Sequence, residues 1–459
     1  MQRGSWTSFE DALIQTRVAL LVSCFIAITL RGLQAQMPPQ NPPQATGAPG
    51  PSSPVVLTLA EALNRAKANS PIFQAALTQF GLAKEDRVQA RAALLPNIQY
   101  TNSFIYTQGN GGATGVYVAN NGVHEYISQG IVHEALGFGS LPDYQRVSAL
   151  QAFAKARAEV ASRGLVVTVV QLFYGLLSAQ EKTINVERAT REAQHFLELS
   201  QKLEGGGEVA HSDVVKAQIQ ANDAARQLQE TRLAEQNARL SLGVLLFPNF
   251  FQDFTLVNDL ASVPQLPDQA TVAQLAKDNN PELHAAYAAL TAADKEVTVA
   301  RAGHLPMLTV DFFYGIDANQ FATEDRNGLR NLGYAGTATL NIPIFSWGAT
   351  QSKVKQAELQ RHQAQVELSA AQRQALADLQ SFYAEAQTAF NQVATLRNSA
   401  DLAADSLRLT NLRYQAGEAT ALEVVDAQNT LTMALNGLHD GEARYRLALA
   451  NLQTLTGSF

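Results

Sequence analysis

At 459 residues the chain has room for two or three domains. It carries 34 basic against 41 acidic side chains, a formal net charge of -7, and charged residues make up only 16% of the total. That balance speaks against a nucleic-acid binder, which presents a basic stripe. The abundance of Ala, Gln and Leu suits long helices packed along small faces instead.

The first predicted element is a targeting segment. Arg17 precedes the apolar run Val18–Leu30, with Arg31 and the small Ala35 behind it. The run is too short to span a bilayer but suits a secretory leader, so residues 1–35 are expected to be a signal peptide cut after Ala35. An uncleaved anchor is the alternative. Leu21-Val22-Ser23-Cys24 resembles a lipidation box, so Cys24 could instead become a lipidated N-terminus, although apolar sequence continues past it. Cut after Ala35, the mature chain would hold no cysteine, which excludes disulfides and thiol chemistry and fits export. Residues 36–54 are Pro-, Gly- and Ser-rich, an expected disordered linker.

A helical pattern starts at Leu57. Thr58 with Glu61 reads as a capping box, and Pro71 interrupts the pattern. A second helix runs to about Leu94 and stops at Pro96. The period then drops from about 3.6 to 2, which predicts a strand near 95–108. One face carries Ile98, Tyr100, Asn102, Phe104 and Tyr106; the other carries Asn97, Gln99, Thr101 and Ser103, with Ile105 an exception. A Gly/Asn-rich loop follows, then a second strand near 125–136, which alternates poorly and holds His133 and Glu134. Next comes an unpunctuated helix, Asp143–Leu203. It ends at the glycine turn 205–208, and a helix returns from there.

The series then repeats at a constant offset of 210 residues. Pro71 answers Pro281, Leu95-Pro96 answers Leu305-Pro306, Gly207-Glu208 answers Gly417-Glu418, and Ala217-Gln218 answers Ala427-Gln428. The chain therefore reads as two structural repeats, 57–264 and 267–459. The second has strands near 305–317 and 333–345 and a long helix Gly348–Tyr414. Such helices reach roughly 90–100 Å at the usual rise per residue.

Four amphipathic strands cannot close a membrane barrel, and open strand edges are not tolerated in lipid, so chains must associate. Two chains would supply eight strands and three would supply twelve; the polar inner face wants water, which favours the larger, open barrel. The order helix, ALLP or HLP, strand, Gly-rich loop, strand, long helix, GE turn and VVxAQ helix resembles the TolC-type outer-membrane efflux channel family. The stretch LRYQAGEATALEVVDAQNTLTMAL carries the resemblance furthest. The likeness covers the chain from about Leu57 to its end.

This resemblance implies a mixed α and β fold: a coiled-coil α-barrel of long helices, duplicated in tandem and continuous with a transmembrane β-barrel. It implies a homotrimer in the outer membrane that extends into the periplasm. The trimer would be a passive exit duct for a tripartite efflux pump or a type I secretion system. The partners implied are a periplasmic adaptor, an inner-membrane transporter and outer-membrane lipid, with no nucleic acid, no cofactor and no catalysis. Glu423 and Asp426 share one face of the last helix and match the acidic positions of the family's periplasmic constriction. Tyr414 matches a tip tyrosine that latches the closed state. Asp213 and Lys216 are the first-repeat twins of Glu423 and Asp426, and Lys216 could pair with an acid across the tip. Some family members have a basic residue two positions past the tip glycine, where this chain has Ala419. The turns Gly207-Glu208 and Gly417-Glu418 are the expected adaptor contacts. His124, His133, His211 and His304 lack any paired metal-ligand spacing, and no nucleophile or phosphate-binding motif occurs. The competing readings are a periplasmic coiled-coil adaptor or structural protein that forms no pore, and, third, a soluble helical enzyme.

Overall fold

The computed structural model describes residues 55–106, 124–249 and 251–457. The expected signal peptide, the Pro-rich linker and the first Gly/Asn-rich loop lie outside the described residues. The elements are β1 (Val55–Leu57), α1 (Leu59–Asn69), α2 (Pro71–Ala92), β2 (Asn97–Tyr106), β3 (His124–Gly137), α3 (Ser140–Gly205) and α4 (His211–Leu246). They continue with β4 (Phe254–Leu256), α5 (Gln269–Asn279), α6 (Pro281–Ala302), β5 (Met307–Ala318), β6 (Leu332–Asn341), α7 (Ala349–Gln415) and α8 (Ala421–Thr456). The pairs α1/α5, α2/α6 and α4/α8 each begin and end 210 residues apart.

Local chemistry sets these boundaries. Ser70 and Asn280 cap α2 and α6 by accepting N–H bonds from Phe73 and from Glu282 and Leu283. A proline then occupies the first helical position, where its missing N–H costs nothing. Thr58 caps α1 through the Glu61 N–H, but the expected capping box is not closed: the Glu61 carboxylate turns to Arg65 at 2.9 Å. α3 runs past the sequence expectation at both ends, to 66 residues, while α7 keeps the expected 67 residues shifted by one position. Pro142 is tolerated because it lies in the first turn of α3. Alanines line the packed faces, among them Ala156, Ala193, Ala386, Ala389 and Ala400. Where α7 crosses α8, Gly441 lets the Leu396 side chain lie against the α8 backbone, and a Cβ there would push its terminal methyl aside.

The largest core lies around the middle of α3. Val169, Phe173, Leu176 and Leu177 pack there against Leu57, Ala62, Leu242, Leu246 and Phe254. α3 is the one helix among the described residues long and apolar enough to cross a membrane, and half of its most apolar stretch is buried here. Beside it β1 and β4 form a parallel pair, Val55 opposite Phe254. Three-residue strands are too short to leave a period in the sequence.

The segment between the repeats straps both halves. Asn258 donates to Glu181 at 2.6 Å, Tyr174 donates to Asp259 at 3.1 Å, and Arg446 donates to the Asp259 carbonyl at 2.7 Å. Further along, Tyr445 and Tyr383 donate to the carbonyls of Pro264 and Pro267. Burial, reinforced by Asp259, pushes the Tyr174 hydroxyl up to about 12, so it stays a donor.

The other four strands form one antiparallel sheet, ordered β2-β3-β5-β6. β3 is a full 14-residue strand despite its weak alternation, because it pairs on both sides. β6 stops at Asn341, short of the expected 345; Ile342 and Ile344 flank Pro343, which has no N–H for a ladder.

Candidate functional site

Two regions answer to the functional expectations: the helix tips and the sheet. At the tips, α3 and α7 end in the same way. Gly207 and Gly417 take left-handed backbone, with φ of 73° and 76°. The next N–H groups, of Glu208 and Glu418, reach back to the carbonyls of Leu203 and Arg413 at 2.9 and 2.8 Å. This is the glycine-dependent helix stop. It reverses the chain so that α4 and α8 run back along α3 and α7.

Glu423 sits three residues past the N-cap Thr420 and closes a true capping box. The Thr420 N–H and hydroxyl both donate to its carboxylate, each at 3.2 Å. Arg413 also reaches Glu423, at 3.2 Å, and the carbonyl of Glu418, at 3.0 Å. The Thr420 N–H first, then its hydroxyl and Arg413, hold the Glu423 carboxyl below its ordinary value. Arg413 is thus a clamp across the turn. The sequence signal for it is only a basic residue in a helix's last turn.

Asp426 lies one turn on, exposed. In the first repeat, Asp213 and Lys216 pair with each other on α4 at 3.2 Å rather than across the tip. Tyr414 is only 5% exposed and packs against Phe196 with ring centroids 5.0 Å apart. Its hydroxyl meets Ser200 Oγ at 3.2 Å, tying α7 to α3. No sequence pattern marks Ser200 or Phe196 as its partners.

In the sheet, residues directly opposite share a face. Ile98 faces Val132, Val132 faces Phe312, and Phe104 faces Tyr126; Tyr314 faces Tyr334 and Leu308 faces Leu340. One surface is therefore apolar across all four strands, with Tyr100, Phe104, Phe312 and Tyr334 exposed on it. Aromatic rings gather at both ends: Phe104, Tyr126 and Phe321 toward the loops, Phe345 and Trp347 toward the helices. Such girdles suit the two interfaces of a bilayer. The opposite face carries Gln99, Thr101, Gln129, Thr309 and Thr337, and on it His133 meets Asp311 at 2.6 Å.

An apolar sheet face joined to helices of roughly 100 Å is a membrane channel with a soluble extension. Residues 272–458 match the family described as outer membrane efflux protein. The chain is similar to the TolC-like outer membrane efflux proteins over most of its length. The outer membrane protein TolC of Vibrio cholerae is 25% identical over 406 residues, which cover 87% of this chain and 90% of that one. The alkaline protease secretion protein AprF of Pseudomonas aeruginosa is 24% identical, over 87% of this chain and 84% of its own. The Campylobacter jejuni CmeC outer membrane channel has the same fold, with a TM-score of 0.75 at 16% identity, over 92% of this chain and 94% of that one. This efflux protein is accordingly an exit duct in the outer membrane that extends into the periplasm, and it is not an enzyme. The reading as a poreless periplasmic adaptor falls away.

Proposed function

We propose that three copies of this efflux protein close a twelve-stranded barrel in outer-membrane lipid, continued by a tunnel of their long helices. The tunnel is the exit duct of a tripartite efflux pump or a type I secretion system. The observation that carries this is the sheet: one largely apolar face that runs across all four strands, with β2 and β6 at its two edges. Lipid cannot satisfy open edges, so each β6 is expected to pair with the β2 of the next copy. The chain would arrive without residues 1–35, and the linker 36–54 would precede the first repeat, 57–264, and the second, 267–459.

The gate of this duct is its periplasmic tip. Glu423 and Asp426 would form acidic rings there, which restrict and select by charge. Tyr414, Asp213 and Lys216 would hold the surrounding helices in the closed arrangement. The turns at Gly207-Glu208 and Gly417-Glu418 would receive the hairpins of a periplasmic adaptor, which joins the duct to an energised inner-membrane transporter.

Single-channel conductance in planar bilayers tests this. Wild type should conduct weakly with cation preference, and Glu423→Ala/Asp426→Ala should conduct more with less preference. Unchanged conductance would remove these residues from the gate. A correctly inserted sample without channels would sink the duct.

A further inference from the structure

We infer that the cavity between α3 and the last turn of α7 binds a small aromatic monoanion that also carries a hydroxyl. The cavity holds about 380 Å³, within the range that admits small ligands. Arg188, Arg191 and Glu192 wall it from α3, Tyr414 closes it from α7, and Gln428 of α8 lines it.

Three features point to the ligand. First, charge: the guanidinium groups of Arg188 and Arg191 outnumber the one carboxyl in the lining, Glu192. Neither arginine forms an ion pair within 4.0 Å among the described residues. Burial raises the Glu192 carboxyl, against the pull of both arginines. A carboxylate is the group such arginines bind best, through paired charge-assisted hydrogen bonds. Second, Gln428 is only 5% exposed, yet its Oε1 has no hydrogen-bond partner. Buried acceptors are normally satisfied, so this one calls for a donor, which a ligand hydroxyl supplies. Third, Phe196 and Tyr414 present packed rings to the same space, a wall suited to a flat aromatic body. The site is separate from the acidic positions Glu423 and Asp426 and does not depend on their role.

Calorimetric titration of the purified full chain in detergent, at low salt, tests the assignment with 4-hydroxybenzoate as the probe. Saturable binding is expected, one ligand per chain. Benzoate, which lacks the donor, and 4-hydroxybenzamide, which lacks the charge, should each bind about tenfold more weakly or worse. Arg188→Gln/Arg191→Gln alters exposed side chains, so it should keep the wild-type melting temperature while losing the 4-hydroxybenzoate signal. Gln428→Leu should abolish the preference over benzoate. No saturable binding by wild type, or equal binding by the arginine variant, would overturn the site. A neighbouring chain seated over the cavity would give the first of these results.

Discussion

Tyr414 and Ser200 come from different repeats, 214 residues apart, and meet in a buried contact. Tyr414→Phe removes the hydroxyl and leaves Ser200, fully buried, without its partner, which costs about 1–3 kcal/mol. Ser200→Ala in the same chain should recover part of that loss. Amide exchange in the last turn of α7 reads the coupling as a double-mutant cycle; strictly additive effects would show that the contact carries no energy. Glu442 offers a second residue-scale test, away from the membrane. Burial alone would raise its carboxyl, but hydrogen bonds from His439 and Arg397 outweigh this and lower it. A depressed folded value means that its stabilisation is complete above the ordinary 4.5 and is lost as pH falls through the folded value. Glu442→Gln should therefore be less stable at neutral pH and lose less on acidification. Thermal melts between about pH 3 and 7 decide this; parallel wild-type and variant curves would refute it.

At the scale of elements, two glycines serve for different reasons. A Cβ on Gly315 would collide with the Ser128 carbonyl and with Gln129 on the neighbouring strand. The β3–β5 pair therefore approaches so closely there that only glycine fits, a device that lets sheets curl toward closure. Gly315→Val should prevent stable assembly, read as loss of the heat-resistant oligomer on gels; a variant that assembles normally would show that the strands can part. Gly417 instead supplies left-handed backbone with open space around it. Gly417→Ala should cost only about 1 kcal/mol in denaturant melts and leave the oligomer intact. The strand phases of β2 and β5 could be read in the sequence because side chains alternate every residue on a half-apolar surface. β3 could not, since Ser128, Gly130 and Glu134 occupy its apolar-face positions, and its place follows from pairing on both sides.

For the whole molecule, the duplication makes two halves that must be held in one body. The strap from Asn258 to Pro267 does this with side chains of α3, α7 and α8. Asp259→Ala releases Tyr174 and removes the 3.3 Å carboxylate contact of Arg446, which keeps only its bond to the backbone carbonyl. Limited proteolysis should then cut this segment several-fold faster, while the far helix tips keep their wild-type pattern. Equal cleavage rates would mean that the remaining hydrogen bonds hold the strap alone.

The sequence by itself determined the repeat, the element types, the two faces of the sheet and the glycine turns. Each of these rests on local physics: a period, a cap, a proline or a left-handed residue. The positions of Glu423, Asp426 and Tyr414 were legible through the tip motif. Only the tertiary structure decided their partners. Glu423 is engaged by Thr420 and Arg413, Lys216 turns to Asp213, and Tyr414 reaches Ser200. It alone also brought together β1 and β4, Asp259 and Tyr174, and the arginines of α3 with Gln428. These contacts join segments up to about half the chain apart, and no periodicity or spacing encodes which distant side chains long helices will set face to face.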